Sequence, residues 1–333
     1  MSPISTYHLA YLGQNQGFCR ILFSRDEILP DSQVAMHTVR DDMLESPSAN
    51  LWPVFIGIDK GFFAAENIKP DLVYVPASAA VIQQLAAGSL DVTMSTGLVD
   101  PIRAVDQGAA LALARFEIQA PPYLIMAKPN IKSLKELKGK VISVGGAKDI
   151  TRTYAERMLA PNGLKPGDYD FVYAGATTAR AQALLSGAVD AAIVLPPSNF
   201  QLQAAGYNDL GLTVEYAPEL PFSGTALSKA WASRNQDVLR RVLAVQAKSI
   251  EYFYDERNRA DLVRILVAVS SQKPEDVEKS YDFFRKNNFF DRTGKISRRQ
   301  INALLDALVG LGDLPARGNI ERFLLPGVAQ LSD

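Results

Sequence analysis

The sequence predicts an α/β protein of two similar lobes, with mainly parallel sheets flanked by helices and a helical C-terminal region. Three observations carry this. First, one phrase occurs twice. Gln84-Leu85-Ala86-Ala87-Gly88-Ser89-Leu90-Asp91 is echoed by Gln182-Ala183-Leu184-Leu185-Ser186-Gly187-Ala188-Val189-Asp190, with the glycines (88, 187) and the aspartates (91, 190) each 99 residues apart. Each copy reads as a helix stopped by glycine, which supplies the left-handed residue that turns the chain. An apolar strand follows: Val92-Thr93-Met94 in one copy, Ala191 to Leu195 in the other. Second, strand and helix signals alternate through the body, the pattern of parallel sheets covered by helices. Third, 333 residues are enough for two domains of ordinary size. Two lobes imply a cleft between them, and such clefts bind small ligands.

The elements follow in order. Residues 1–37 show no clear periodicity, and the body begins near Val39. Ser46-Pro47-Ser48-Ala49-Asn50-Leu51-Trp52-Pro53 leads into a helix ended by Gly61. Ser and Asn favour the cap, and Pro is tolerated in the first turn. Leu72–Val75 reads as a strand, Ala79–Ala87 as a helix, and Asp91–Met94 as a strand. Ser95-Thr96-Gly97 then reads as opening a helix that runs through Pro101 to Gln107. Strand-like runs follow at Ala110–Phe116 and Tyr123–Ala127. The second unit has a helical turn at Ser133–Leu137 and a strand from Lys140 to Val144 that runs into Gly145-Gly146. Its helix from Ile150 to Leu159 is stopped by Pro161-Asn162-Gly163. Phe171–Tyr173 is a strand and Thr178–Leu185 the helix of the repeated phrase. Near the C-terminus, Ile301, Leu304, Leu305 and Leu308 form one apolar helical face behind a Ser297 cap.

Composition excludes several function classes. Lysine plus arginine number 35 against 36 acidic residues, so a nucleic-acid or acidic-membrane partner is not expected. No stretch of about 20 residues is apolar enough to span a bilayer. The only cysteine is Cys19 and the only histidines are His8 and His37. Residues 38–333 therefore hold no Cys/His metal site, Ser-His-Asp triad or Cys-His dyad. No catalytic residue, metal or cofactor is expected. The start, Met1-Ser2-Pro3-Ile4-Ser5-Thr6, lacks the basic segment and apolar core of a secretory signal.

In α/β lobes ligands sit at the carboxyl ends of strands, where loops enter helix N-termini. Those termini expose unpaired N–H groups and a partial positive charge, which favours anions. Three loops fit: Ser46, Ser48 and Asn50 before the helix that carries Trp52; Ser95, Thr96 and Gly97; and Gly145, Gly146 and Thr151. Each reads equally as an ordinary cap or turn. Lys148 and Arg152 lie close enough to the Gly-Gly turn to pair with a carboxylate or sulfonate, or else are solvated surface charges. Trp52 is either a wall of the cleft or a packing residue. Pro197 either edges the cleft or simply stops the strand before it.

The opening Ser46 to Pro53, Asp59-Lys60-Gly61-Phe62-Phe63, Leu134-x-x-Leu137-Lys138-Gly139-Lys140 and the two Leu/Gly/Asp phrases resemble the solute-binding proteins of nitrate/sulfonate/taurine-type ABC importers. Pyrimidine-precursor synthases of thiamine biosynthesis share that fold. The resemblance covers about residues 38–310. It implies a type II periplasmic-binding-protein fold, with lobe one at 38–115 plus 222–333 and lobe two at 116–221. It also implies a monomer that captures a small anionic organic molecule by hinge closure and passes it to an ABC permease in the membrane. The implied location is the periplasm, with the cytoplasm as the alternative given the missing signal. The alternative function is an enzyme on the same fold, a precursor synthase or an aromatic-acid decarboxylase. The synthases depend on histidine and a cysteine-rich segment, which residues 38–333 lack.

Overall fold

A computed structural model describes residues 37–44, 48–75, 78–270 and 272–333. The N-terminal segment up to residue 36 and Ser46 lie outside the described residues.

The strands are β1 (His37–Leu44), β2 (Ile68–Val75), β3 (Val92–Gly97), β4 (Leu111–Ile118), β5 (Leu124–Ala127), β6 (Val141–Val144), β7 (Asp170–Tyr173), β8 (Ala191–Val194), β9 (Asn208–Leu212), β10 (Ser223–Ser228), β11 (Ile296–Ser297) and β12 (Leu331–Ser332). The helices are α1 (Trp52–Asp59), α2 (Phe62–Ala65), α3 (Ser78–Ala87), α4 (Val99–Asp106), α5 (Ile150–Leu159), α6 (Thr177–Leu185), α7 (Ser198–Ala204), α8 (Lys229–Arg234), α9 (Gln236–Tyr254), α10 (Arg259–Ser270), α11 (Pro274–Lys286) and α12 (Arg298–Gly310).

Two five-stranded sheets organise the chain, in the orders β2-β1-β3-β10-β4 and β7-β6-β8-β5-β9. The orders correspond strand for strand. In each sheet four strands run one way and one runs against them, β10 in the first and β5 in the second. Those two are the strands on which the chain enters a sheet after crossing from the other, so the reversed direction follows from the path. The crossings run side by side: the Phe222 amide donates to the Ile118 carbonyl at 3.0 Å, and the Thr213 amide to that of Tyr123 at 2.8 Å.

The repeated phrase occupies equivalent places. Gly88 (φ +75°) ends α3 before β3, and Gly187 (φ +79°) ends α6 before β8. Both take the left-handed conformation that costs glycine least. The all-apolar β8 is buried throughout, as a central strand covered on both faces requires. Two expectations change. The chain is already extended from His37, in β1, where Arg40, Asp41 and Asp42 hide the strand signal. Ser95, Thr96 and Gly97 end strand β3 rather than open a helix, because Thr96 and Gly97 pair with β10, and α4 starts at Val99.

The C-terminal region packs as helices on the first sheet's side. In α12, Ile301, Leu304, Leu305 and Leu308 are all buried, and the Ser297 hydroxyl accepts from the Gln300 amide at 3.2 Å. The core there is aromatic. Trp52 is fully buried, with Phe253 and Tyr281 edge-on at 5.4 and 6.3 Å, and its indole N–H donates to the Leu262 carbonyl at 2.9 Å. No helix among the described residues is long and apolar enough to cross a membrane.

Candidate functional site

The loops after β3, β6, β7 and β8 converge on a cavity of about 260 Å³ between the two sheets. Its wall on the first sheet is polar and includes the Asp100 carboxylate, which pairs with Arg103 at 3.2 Å. The Ser48 hydroxyl is bonded to the Asn50 side-chain oxygen, and the Ser95 hydroxyl to the Asn50 carbonyl (3.2 Å) and the Ser223 hydroxyl (3.0 Å). Ser95 is held at φ +72°, an uncommon conformation for a residue with a side chain. Such backbone persists only where its surroundings over-determine it, here by two hydroxyl bonds and by the pairing of Thr93 and Thr96 with β10 on either side of it.

The wall on the second sheet is formed by two helix N-termini that differ in kind. At α5 the Asp149 carboxylate accepts from the Thr151 amide at 2.9 Å and from the Thr151 hydroxyl. The Gly145 amide donates to that same hydroxyl at 2.8 Å. Gly145 is required for this, since a Cβ there would lie 2.6 Å from the Asp149 carboxyl carbon. The end of α5 is thus filled by its own chain. At α6, Ala176 caps the helix without a side-chain bond, the first turn carries no acidic residue, and Gly175 to Thr178 face the cavity. Three residues into α6 stands Arg180, only 3% exposed. Its Nε donates to the Ile193 carbonyl at 2.6 Å, one terminal nitrogen to the Gly175 carbonyl, and the other to the Thr177 hydroxyl at 2.8 Å. All three acceptors are neutral, so among the described residues the charge has no carboxylate partner.

The apolar lining comes from Tyr123, Phe222, Ile150, Leu195 and Val99. Tyr123 and Phe222 meet edge-on at 5.2 Å, and the Arg180 guanidinium lies 5.8 Å from the Tyr123 ring centre. Burial pushes the Tyr123 phenol well up, and the Arg180 charge only partly offsets this. Burial does the same to Tyr154 beneath it, whose hydroxyl donates to the Pro221 carbonyl at 3.1 Å. Both phenols therefore stay neutral at physiological pH.

Eight of the residues singled out in sequence line this cavity: Ser48, Asn50, Ser95, Gly97, Gly145, Gly146, Lys148 and Pro197. Four do not. Trp52 belongs to the aromatic core. Thr96 is buried in strand register opposite Gly224. Thr151 is buried and serves the α5 cap. Arg152 pairs with Glu156 at 2.9 Å and lies over the Phe171 ring.

A family model for NMT1/THI5-like proteins matches residues 48–260. The chain belongs to that family. No curated protein sequence matches this NMT1/THI5-like chain. Among solved structures it is similar to the alkanesulfonate-binding protein SsuA of Xanthomonas axonopodis pv. citri bound to MOPS, at 20% identity and TM-score 0.72 over 90% of this chain and 100% of that one. It is also similar to the periplasmic aliphatic sulphonate binding protein SsuA of Escherichia coli, at 18% identity and TM-score 0.71 over 89% and 94%. The desulfurization enzyme DSZB has the same fold at 13% identity and TM-score 0.64, over 87% and 97%. At these identities the likeness is one of fold.

The sequence reading missed Arg180, Tyr123, Phe222 and the Gly175–Thr178 turn. One signal was available for the arginine: it is the sole charge in Thr177-Thr178-Ala179-Arg180-Ala181-Gln182-Ala183-Leu184-Leu185, a helix whose first turn holds no acid.

Proposed function

We propose that the protein captures a small organic anion in this cleft and delivers it, chemically unchanged, to an ABC-type permease in the membrane. The observation that carries the reading is Arg180, a buried cation with no ionic partner among the described residues, at the uncapped N-terminus of α6. Burying a charge without a counter-ion is costly, and an anionic ligand supplies the missing partner. The α6 amides add donors and a favourable dipole. Tyr123 and Phe222 would face the ligand's apolar body, while Ser48, Asn50 and Ser95 would accept or donate at its far end. Lobe one would comprise 38–115 plus 222–333 and lobe two 116–221, hinged where the crossings run side by side. The sulfonate-binding proteins of like fold make a permease partner and a periplasmic location the natural setting.

The enzyme on the same fold finds less support. Among the described residues lining the cleft there is neither Cys nor His, and the Tyr123 phenol there is held neutral. Native mass spectrometry of freshly purified protein is the test. A bound organic acid, recovered unchanged after long incubation, is the expected result. Stoichiometric conversion of that acid, with or without added iron, would replace the receptor reading with the enzymatic one.

A further inference from the structure

Four charged side chains line the cavity: Asp100, Lys148, Asp149 and Arg180. Asp100 pairs with Arg103 at 3.2 Å. Lys148 is exposed, where water and salt screen it. Arg180 is the buried cation that the proposed anion would meet. Asp149 is left, a carboxylate with no cationic partner among the described residues. It is also held in place. One of its oxygens accepts from the Thr151 amide at 2.9 Å and from the Thr151 hydroxyl. Its carboxyl carbon sits so close to Gly145 that a Cβ there would lie 2.6 Å away. Tyr123 stands where both charges reach it. Burial is the main cause that pushes its phenol up; the Arg180 charge pulls it down and the Asp149 charge pushes it up. The cavity between them is only about 260 Å³, and Phe222, Ile150, Leu195 and Val99 offer a second charge no partner.

We propose that Asp149 sets the charge number of the ligand: the cleft takes organic acids with one anionic group and a neutral remainder, and rejects those with two. This rests on the reading that Arg180 meets an anion. The first anionic group of a ligand reaches Arg180 and the open turn before α6. A second one, in so small a cavity, meets a fixed carboxylate where it needs a cation. Like charges at that range repel by an amount worth about tenfold in affinity or more. Ser48, Asn50 and Ser95 are uncharged and bond as well to a neutral polar end. The helix cap does not account for the carboxylate. Asparagine and serine cap a helix about as well as aspartate, so the fold of α5 needs the oxygen and not the charge.

Calorimetry of the full-length protein with matched probes tests this. The panel is malonate to suberate, the benzenedicarboxylates and the corresponding disulfonates. Each is offered as the dianion, as its half-amide or half-sulfonamide, and as the acid bearing an amine in place of the second group. Dianion and half-amide are nearly equal in size and differ by one charge. Wild type is expected to bind half-amides, and to bind the matching dianions about tenfold more weakly or worse. Asp149→Asn keeps a capping oxygen and removes the charge. It should raise dianion affinity about tenfold and half-amide affinity much less, so that the gap largely closes. Circular dichroism and a melting curve establish that the variant is folded. Asp149→Ser, which also caps, takes its place if it is not. A dianion that binds wild type as tightly as its half-amide, or more tightly, would overturn the proposal. A gap unchanged in the folded variant would do the same. So would tighter binding of the amine-bearing acid than of the half-amide, by making Asp149 the partner of a cation. If no half-amide and no dianion of the panel binds wild type, the reading of Arg180 as an anion site falls first, and the charge rule with it.

Discussion

The N-termini of α5 and α6 stand in the same sheet, each follows a parallel strand, and both face the same cavity. They have opposite chemistry. At α5 the chain supplies its own anion, the Asp149 carboxylate, and packs Gly145 against it. At α6 the cap is Ala176, and the charge nearby is the buried cation of Arg180. On the proposed reading, a helix N-terminus in a cleft receives an anion only where the sequence leaves its amides unfilled. The Gly-Gly turn before α5 is the more conspicuous motif, and it serves an internal cap. The plain Gly175-Ala176-Thr177-Thr178 turn before α6 is the one left open.

The comparison can be broken or sharpened by substitution. The largest effect lies outside both helix ends. Trp52→Ala removes a fully buried ring and its hydrogen bond, and should cost about 3–5 kcal/mol of stability. Urea unfolding measures this. Affinity measured on the folded fraction should not change, whereas a stable variant with weakened binding would return Trp52 to the cleft. Next comes Asp149→Ala, which uncaps α5. Loss of the cap should cost about 0.5–2 kcal/mol by the same assay. The same change removes a negative charge from the cavity wall and frees helix amides, so anion affinity should rise while stability falls. Affinity that falls together with stability would mean the α5 cap serves the site only as scaffold. The smallest effects belong to the two cations nearest α5. Lys148→Ala at the exposed mouth should weaken anion binding by less than about fivefold, an effect that disappears in high salt. Arg152→Ala should leave binding unchanged, since its partner is Glu156.

Much of the fold was legible, and for stated reasons. Alternating apolar runs and glycine stops mark α3–β3 and α6–β8, because a buried central strand and a left-handed helix exit each restrict composition. The strand β1 was not legible, since Arg40, Asp41 and Asp42 interrupt its pattern and pairing with β2 overrides local preference. The Ser95–Gly97 segment was read as a helix start because serine, threonine and glycine favour caps. Antiparallel pairing with β10, more than 120 residues away, makes it a strand. At the site, the glycine and hydroxyl residues at strand ends were legible, since that position is fixed by the α/β plan. Arg180 was not, because a single arginine on a helix of small residues looks like a solvated face. Its burial depends on Tyr123 and Ile193, which come from two other strands or their approaches. Trp52 could not be assigned from sequence either, since core and cleft make the same demand for a large aromatic ring.

The central claim is that Arg180 and the open end of α6 select an anion. Calorimetry on the tightest-binding organic acid and its neutral amide or sulfonamide, with wild type and Arg180→Gln, tests it most directly. In wild type the neutral compound should bind about ten- to a hundredfold more weakly, the worth of one charge-assisted hydrogen bond at about 1.5–3 kcal/mol. In Arg180→Gln that difference should largely vanish. Equal affinities of acid and amide for the wild-type protein would contradict the account, and would mean that the cleft is built for a neutral solute.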